Sequence, residues 1–258
     1  VGERNEAATP AAVTEVRVKA EGSAAGPEGA PLGVVLAGGR GSRLGGAKPT
    51  AVLAGRPLIS YPLAALAEAG LEAVVVAKPD TDLGGRPLAR GRPGGRPLSR
   101  ETGLKTTALD GTGQRSTPGV GDVVVLFEPE EPVHPLAGIV AALRQTGRPL
   151  VVIGCDFPFV PPALLRALAD APEALVVPTP GDAPQPLVAR WTPALLPALE
   201  AALAREEPLR RTVAALSPRL LEGPELAPFG DPARVFFNVN TPADLHHAEG
   251  AVSSLDGD

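Results

Sequence analysis

A chain of 258 residues with 44% hydrophobic content can build one α/β domain with tails, and with 3% aromatic residues its core must be Ala, Leu and Val. A net charge of −5 argues against nonspecific nucleic-acid binding, which needs a basic footprint. The single cysteine, Cys155, excludes an intrachain disulfide and suits a reducing compartment.

Residues 1–30 are rich in Ala, Glu, Gly and Pro without apolar periodicity and read as a disordered leader. Charges interrupt them where a signal peptide needs an apolar stretch, and no run approaches the roughly 18 apolar residues of a membrane helix. A soluble, cytoplasmic protein with no membrane partner is expected. A domain over residues 31–250 then opens with a strand at Leu32–Leu36 and a glycine-rich loop. Pro57 suits the first turn of a helix that places Leu58, Ile59, Leu63 and Leu66 on one face and closes at Gly70. Leu71–Ala77 reads as a buried parallel strand.

From about Asp80 to Gly121 the chain is dominated by Gly, Pro, Arg, Ser and Thr, with Gly84-Gly-Arg-Pro-Leu-Ala-Arg90 repeated imperfectly as Gly94-Gly-Arg-Pro-Leu-Ser-Arg100. This stretch reads as a low-complexity, disordered insertion; it lacks the aromatic residues that would stack nucleic-acid bases. The alternation resumes with strands at Val123–Phe127, Leu150–Cys155, Ala174–Pro178, Pro186–Trp191 and Arg234–Phe237. Helices are predicted over Pro135–Gln145, Pro161–Ala169, Pro193–Arg205, Pro208–Leu216 and Thr241–Glu249, with 251–258 as a tail. Such alternation implies a three-layer, Rossmann-like α/β fold: a mostly parallel (mixed) sheet with helices on both faces. Ligands in such folds gather at the carboxyl ends of the strands, where the glycine loop, Glu128 and Asp156 all fall.

The loop Leu36-Ala-Gly-Gly-Arg-Gly-Ser-Arg-Leu-Gly-Gly-Ala-Lys48 carries the strongest chemical signal. Glycines without Cβ atoms let backbone N–H groups of Gly38, Gly39 and Gly41 crowd around a polyphosphate. Arg43 and Lys48 add the positive charge that phosphates require, which makes them the candidate catalytic cations. Spacing excludes two commoner loops: the dinucleotide fingerprint would place a glycine at Leu44, and a P-loop would follow its lysine with Ser or Thr, not Pro49. Downstream, Asp156 closes the apolar run Val151–Asp156 beside Phe157-Pro158. It is placed either to hold Mg²⁺ against phosphate oxygens or to cap the following helix.

The loop resembles the L-A-G-G-x-x-x-R-M-G-G-x-D-K signature of nucleotidyltransferases, most of all that of the molybdenum cofactor guanylyltransferase family. Two positions depart from it: Leu44 replaces Met, and no Asp precedes Lys48. The Lys48-Pro49 ending looks like that of sugar-phosphate or cobinamide-phosphate nucleotidyltransferases, which leaves the acceptor open. Asp156-Phe-Pro resembles the family's D-x-P motif, which implies that Asp156 is the Mg²⁺ ligand. His134-Pro-Leu-Ala-Gly-Ile-Val140 resembles its G-P-L-A-G-I segment, where a helix opening at Pro135 is expected to turn free N–H groups toward the rim, and small Ala137 and Gly138 to admit a ligand.

An acidic residue before that segment is implied in the nucleotide site, and of Glu128, Glu130 and Glu131 we choose Glu128, directly after its strand. Gln185-Pro-Leu-Val-Ala-Arg-Trp191 and Phe237-Asn-Val-Asn-Thr-Pro-Ala-Asp-Leu245 match two further family segments. In the latter, Asn238 and Asn240 either bind the acceptor or hold the terminal loop. The resemblance implies transfer of GMP from GTP to the phosphate of the molybdenum–molybdopterin cofactor, with nucleotide contacts from Leu36, Ala37, Gly38, Gly39, Gly41, Lys48, Glu128 and Asp156. It implies GTP and molybdopterin as substrates, and contacts with molybdoenzymes or their chaperones. The alternatives are another nucleotide or acceptor (CTP, cobinamide or sugar phosphate) and a nucleotide-binding regulatory protein without catalysis. Cys155 reads as buried and inert, and the pair His246-His247 as solvated helix surface.

Overall fold

The computed structural model describes residues 29–39, 44, 48–83 and 123–253. The leader up to residue 28, Gly41, Arg43, the segment 84–122 that holds both repeats, and residues 254–258 lie outside the described residues.

Among the described residues, seven strands form one sheet, in the order β5 (Val124–Phe127), β4 (Ala73–Ala77), β1 (Leu32–Leu36), β6 (Leu150–Gly154), β8 (Val188–Trp191), β7 (Leu175–Thr179) and β9 (Arg219–Glu222). All run parallel except β8, which is antiparallel to both β6 and β7. The central strands are β-branched runs buried on both faces, as a parallel sheet covered by helices requires. Alternate residues serve two cores. Val35, Val75, Val151 and Ile153 face α1 (Ser60–Glu68) and α3 (Pro162–Asp170). Val34, Val74, Val76 and Val152 face α2 (Pro135–Thr146), α4 (Leu196–Ala204) and α5 (Leu209–Ala215). The result is the expected three-layer arrangement.

Three elements differ from the sequence reading. The first helix starts at Ser60, and Pro57 instead belongs to a hairpin of β2 (Val52–Leu53) and β3 (Arg56–Pro57). Its two-residue turn holds Ala54 and Gly55 at φ of 45° and 76°, a conformation glycine tolerates without strain. Arg234–Phe237 is not a strand: Asp231 accepts a bond from Ala233 N at 3.0 Å and starts the short helix α6, Pro232–Val235. An N-cap followed by proline outweighs a three-residue apolar run. The edge strand β9 leaves no mark in the sequence, because its four residues between prolines show no clear alternation. The last helix, α7, runs from Pro242 to Ser253.

Chain order places the functional rim. After β1 the chain builds β4 and β5 on one side, then crosses to lay β6 on the other side of β1. That reversal puts the switch point at the carboxyl ends of β1 and β6, where such sheets form the crevice that binds ligands.

Candidate nucleotide site

Ladder bonds continue past the strand ends and fix the rim. Leu36 O accepts from Cys155 N at 3.0 Å, Ala37 N donates to Val76 O at 2.8 Å, and Glu128 N donates to Ala77 O at 3.0 Å. The glycine loop, the Cys155-Asp156 turn and Glu128 are thereby tied to one another through backbone. Leu36 is half-buried, Ala37 is buried, and Gly39 is exposed, with open space where its Cβ would be. Gly41 and Arg43 belong to the undescribed part of the loop.

Lys48 opens a short 3-10 turn, Lys48–Thr50, anchored where Pro49 O accepts from Ile59 N at 3.0 Å. Its Nζ lies 2.6 Å from Asp156 Oδ2, and each side chain is 13% exposed. A cation and a carboxylate thus meet at the mouth of the crevice, 108 residues apart in sequence. Helix α3 begins after Pro161 with no side-chain cap, so Asp156 does not serve as its cap. A Cβ on Gly154 would fall 2.4 Å from Asp156 Oδ1 and 3.1 Å from Phe157 Cδ2, so the carboxylate lies over a gap that only glycine leaves.

Lys48 Nζ also donates to Asn240 Oδ1 at 2.6 Å. Asn240 Nδ2 donates in turn to Asn238 Oδ1. The turn carrying both asparagines is held from below, where Val239 N donates to Asp156 O at 2.9 Å. Asp244 Oδ2 accepts from Asn240 N at 2.9 Å and Thr241 N at 2.8 Å, while Asp244 N donates to Thr241 Oγ1 at 3.2 Å. This reciprocal capping box starts α7, and these bonds to the ionised form hold the Asp244 carboxyl below its usual range.

Glu128 is buried, and burial raises its carboxyl above the ordinary value against a smaller opposing pull from Lys78. One oxygen occupies the space a Cβ on Gly38 would fill (1.9 Å), the other the space beside Gly138 (2.7 Å). The gap at Gly138, expected to admit a ligand, is therefore taken by Glu128. The free N–H groups expected at the start of α2 are also absent. Pro135 has no N–H, Leu136 N donates to His134 Nδ1 at 3.1 Å, and Ala137 N to His134 O at 2.9 Å. His134 is the N-cap of α2 and satisfies the donors itself.

Sequence reasoning passed over Lys78. It follows β4 as Glu128 follows β5, and its Nζ donates to the carbonyls of Pro129 (3.1 Å) and Glu130. A cation directly after a parallel strand, on the rim already singled out, was the signal for it. Cys155 is buried, and that burial pushes its thiol far above the usual range, so it is inert as a nucleophile. Among the described residues, no three His, Cys, Asp or Glu side chains gather as a metal cluster, and no helix is long and apolar enough to cross a membrane.

The sequence matches the model of the MobA-like NTP transferase domain over residues 33–220. It is 30% identical over 233 residues to the molybdenum cofactor guanylyltransferase of Rhizobium meliloti (strain 1021), covering 85% of this chain and 90% of that protein. To the protein of the same name from Rhodobacter capsulatus it is 32% identical over 221 residues, covering 84% and 94%. The molybdopterin-guanine dinucleotide biosynthesis protein A of Archaeoglobus fulgidus has a similar structure, with a TM-score of 0.60 and 25% identity over 86% of this chain and 98% of that one. A nucleotidyl transferase from Methanothermobacter thermautotroptrophicus shares the fold at a TM-score of 0.57 and 17% identity, covering 88% and 99%. The chain belongs to the MobA-like NTP transferase family and is a nucleotidyltransferase.

Proposed function

We propose that the protein transfers GMP from GTP to the phosphate of the molybdenum–molybdopterin cofactor, in the cytoplasm. An oxygen of the acceptor phosphate bonds to the α-phosphorus, the bond from that phosphorus to the β-phosphate oxygen breaks, and pyrophosphate leaves. Such chemistry asks the protein for positioning and charge neutralisation, with no covalent intermediate. A phosphate acceptor is already ionised near neutral pH, so no general base is needed.

The observation that carries this reading is the Lys48–Asp156 pair at the crevice between β1 and β6, 2.6 Å apart and beside the glycine loop. Lys48 would clamp the triphosphate together with Arg43, while Gly38, Gly39 and Gly41 supply backbone donors. Leu36, Ala37 and Glu128 line the nucleoside side, and the Asn238–Asn240 turn faces the acceptor. A hard carboxylate such as Asp156 suits Mg²⁺, which takes one or two carboxylates together with phosphate oxygens, and the ion would have to displace Lys48 from its pairing with Asp156. Bound there, the ion would neutralise phosphate charge. The names of the relatives support guanine and molybdopterin as the nucleotide base and the acceptor.

The test is pyrophosphate release with each of the four nucleotides, with and without molybdenum cofactor. Release confined to GTP plus cofactor is expected. Release with CTP, or with a cobinamide or sugar phosphate acceptor, would reassign the substrates, and GTP binding without release would make the chain regulatory. Lys48→Ala should lower turnover by at least about 10²-fold, and Asp156→Asn should remove the Mg²⁺ response.

A further inference from the structure

We propose that Asn240 is a positioning residue for Lys48, so that the C-terminal turn tunes nucleotide binding and not acceptor binding alone. The inference rests on the reading of Lys48 as a phosphate clamp. A lysine ammonium only donates, so the group facing it at 2.6 Å must be the amide oxygen of Asn240, and the amide nitrogen is left for Asn238. A lysine carries four side-chain torsions, and at an open crevice it would sample many of them. Two acceptors from different parts of the chain remove that freedom: Asp156, after β6, and Asn240, before α7.

Asn240 is exposed, but its hydrogen bonds fasten it to the turn around it. Its own N–H is held by Asp244 at 2.9 Å, and its side-chain nitrogen by Asn238. The preceding residue, Val239, is fully buried and bonded through its N–H to Asp156 O at 2.9 Å. The same backbone contact that seats the carboxylate therefore seats the amide, and the ammonium is aimed from both. If a bound phosphate drew Lys48 away from Asp156, the bond to Asn240 would still hold the ammonium on this rim.

The experiment measures the affinity for GTP with Mg²⁺, calorimetrically and without acceptor, for wild type, Asn240→Ala, Lys48→Ala and the double variant; acceptor KM is measured separately. Asn240→Ala is expected to weaken GTP binding about tenfold and to add nothing in the Lys48→Ala background. Unchanged GTP affinity with a raised acceptor KM would overturn the inference and make Asn240 an acceptor ligand. A loss of equal size in the Lys48→Ala background would overturn it too, since the turn would then act independently of the lysine. Should Asn240→Ala unfold the turn, Asn240→Leu keeps the volume and is read by the same criteria. If Lys48→Ala itself binds GTP normally, the clamp reading fails, an outcome distinct from failure of Asn240 alone.

Discussion

Replacing Gly38 by Ala tests whether the glycine loop and Glu128 are fitted to each other. The added Cβ would lie 1.9 Å from Glu128 Oε1 and 2.8 Å from its Cδ, an overlap of more than 1 Å with a normal carbon–oxygen contact. The carboxylate cannot retreat far. Its other oxygen already fills the gap at Gly138, where Leu36 Cδ2 and Val76 Cγ1 close the space 3.0 and 3.4 Å from the position of a Cβ. Nor is the backbone free to yield, since Ala37 N is bonded to Val76 O at 2.8 Å. Overpacking of this kind costs about 1–3 kcal/mol, or a midpoint lowered by roughly 3–10 °C for a chain of this size. Scanning calorimetry without ligand measures it. Glu128→Ala removes the obstruction, so the double variant should regain about 1–2 kcal/mol relative to additivity. A Gly38→Ala protein as stable as wild type, or one equally weakened without Glu128, would refute the fit.

The pH dependence of stability should report the same carboxylate. Because its folded value is raised above the ordinary 4.5, Glu128 weighs against the native state while ionised, and this burden lifts as pH falls through the raised value. Glu128→Gln is therefore expected to raise the thermal midpoint at neutral and alkaline pH, with the gain shrinking toward acid. Asp244 has the opposite sign: its value is held below 3.8, so Asp244→Asn should destabilise at neutral pH, a loss that fades as acid protonates the native carboxyl. Arg190, buried on β8, donates to Ala169 O at 2.8 Å and Glu173 O at 3.0 Å. Arg190→Ala strands those carbonyls and should cost about 2–4 kcal/mol in urea unfolding.

What the sequence revealed depended on how locally each feature is determined. The runs Leu32–Leu36, Ala73–Ala77 and Leu150–Gly154 are buried on both faces, and their β-branched composition alone marked them as strands. The glycine loop and Asp156 could be placed on one rim because each directly follows such a strand. The hairpin at Val52–Pro57 escaped because each of its strands has two residues, too few to show alternation. The contact between Lys48 and Asn240 spans 192 residues and depends on how the last turn returns to β6, which no local pattern encodes. Gly38 and Gly138 stand out in the sequence as positions needing glycine, but that Glu128 fills the space beside both depends on the tertiary fold.

The reversed direction of β8 has an evolutionary corollary. Because it runs against its neighbours, the link from Thr179 to Val188 turns back at the carboxyl edge without crossing a helical layer, and Gly154 N donates to Leu187 O at 2.8 Å where it arrives. Lengthening or shortening that finger would reshape the mouth of the crevice while both hydrophobic layers stayed as they are.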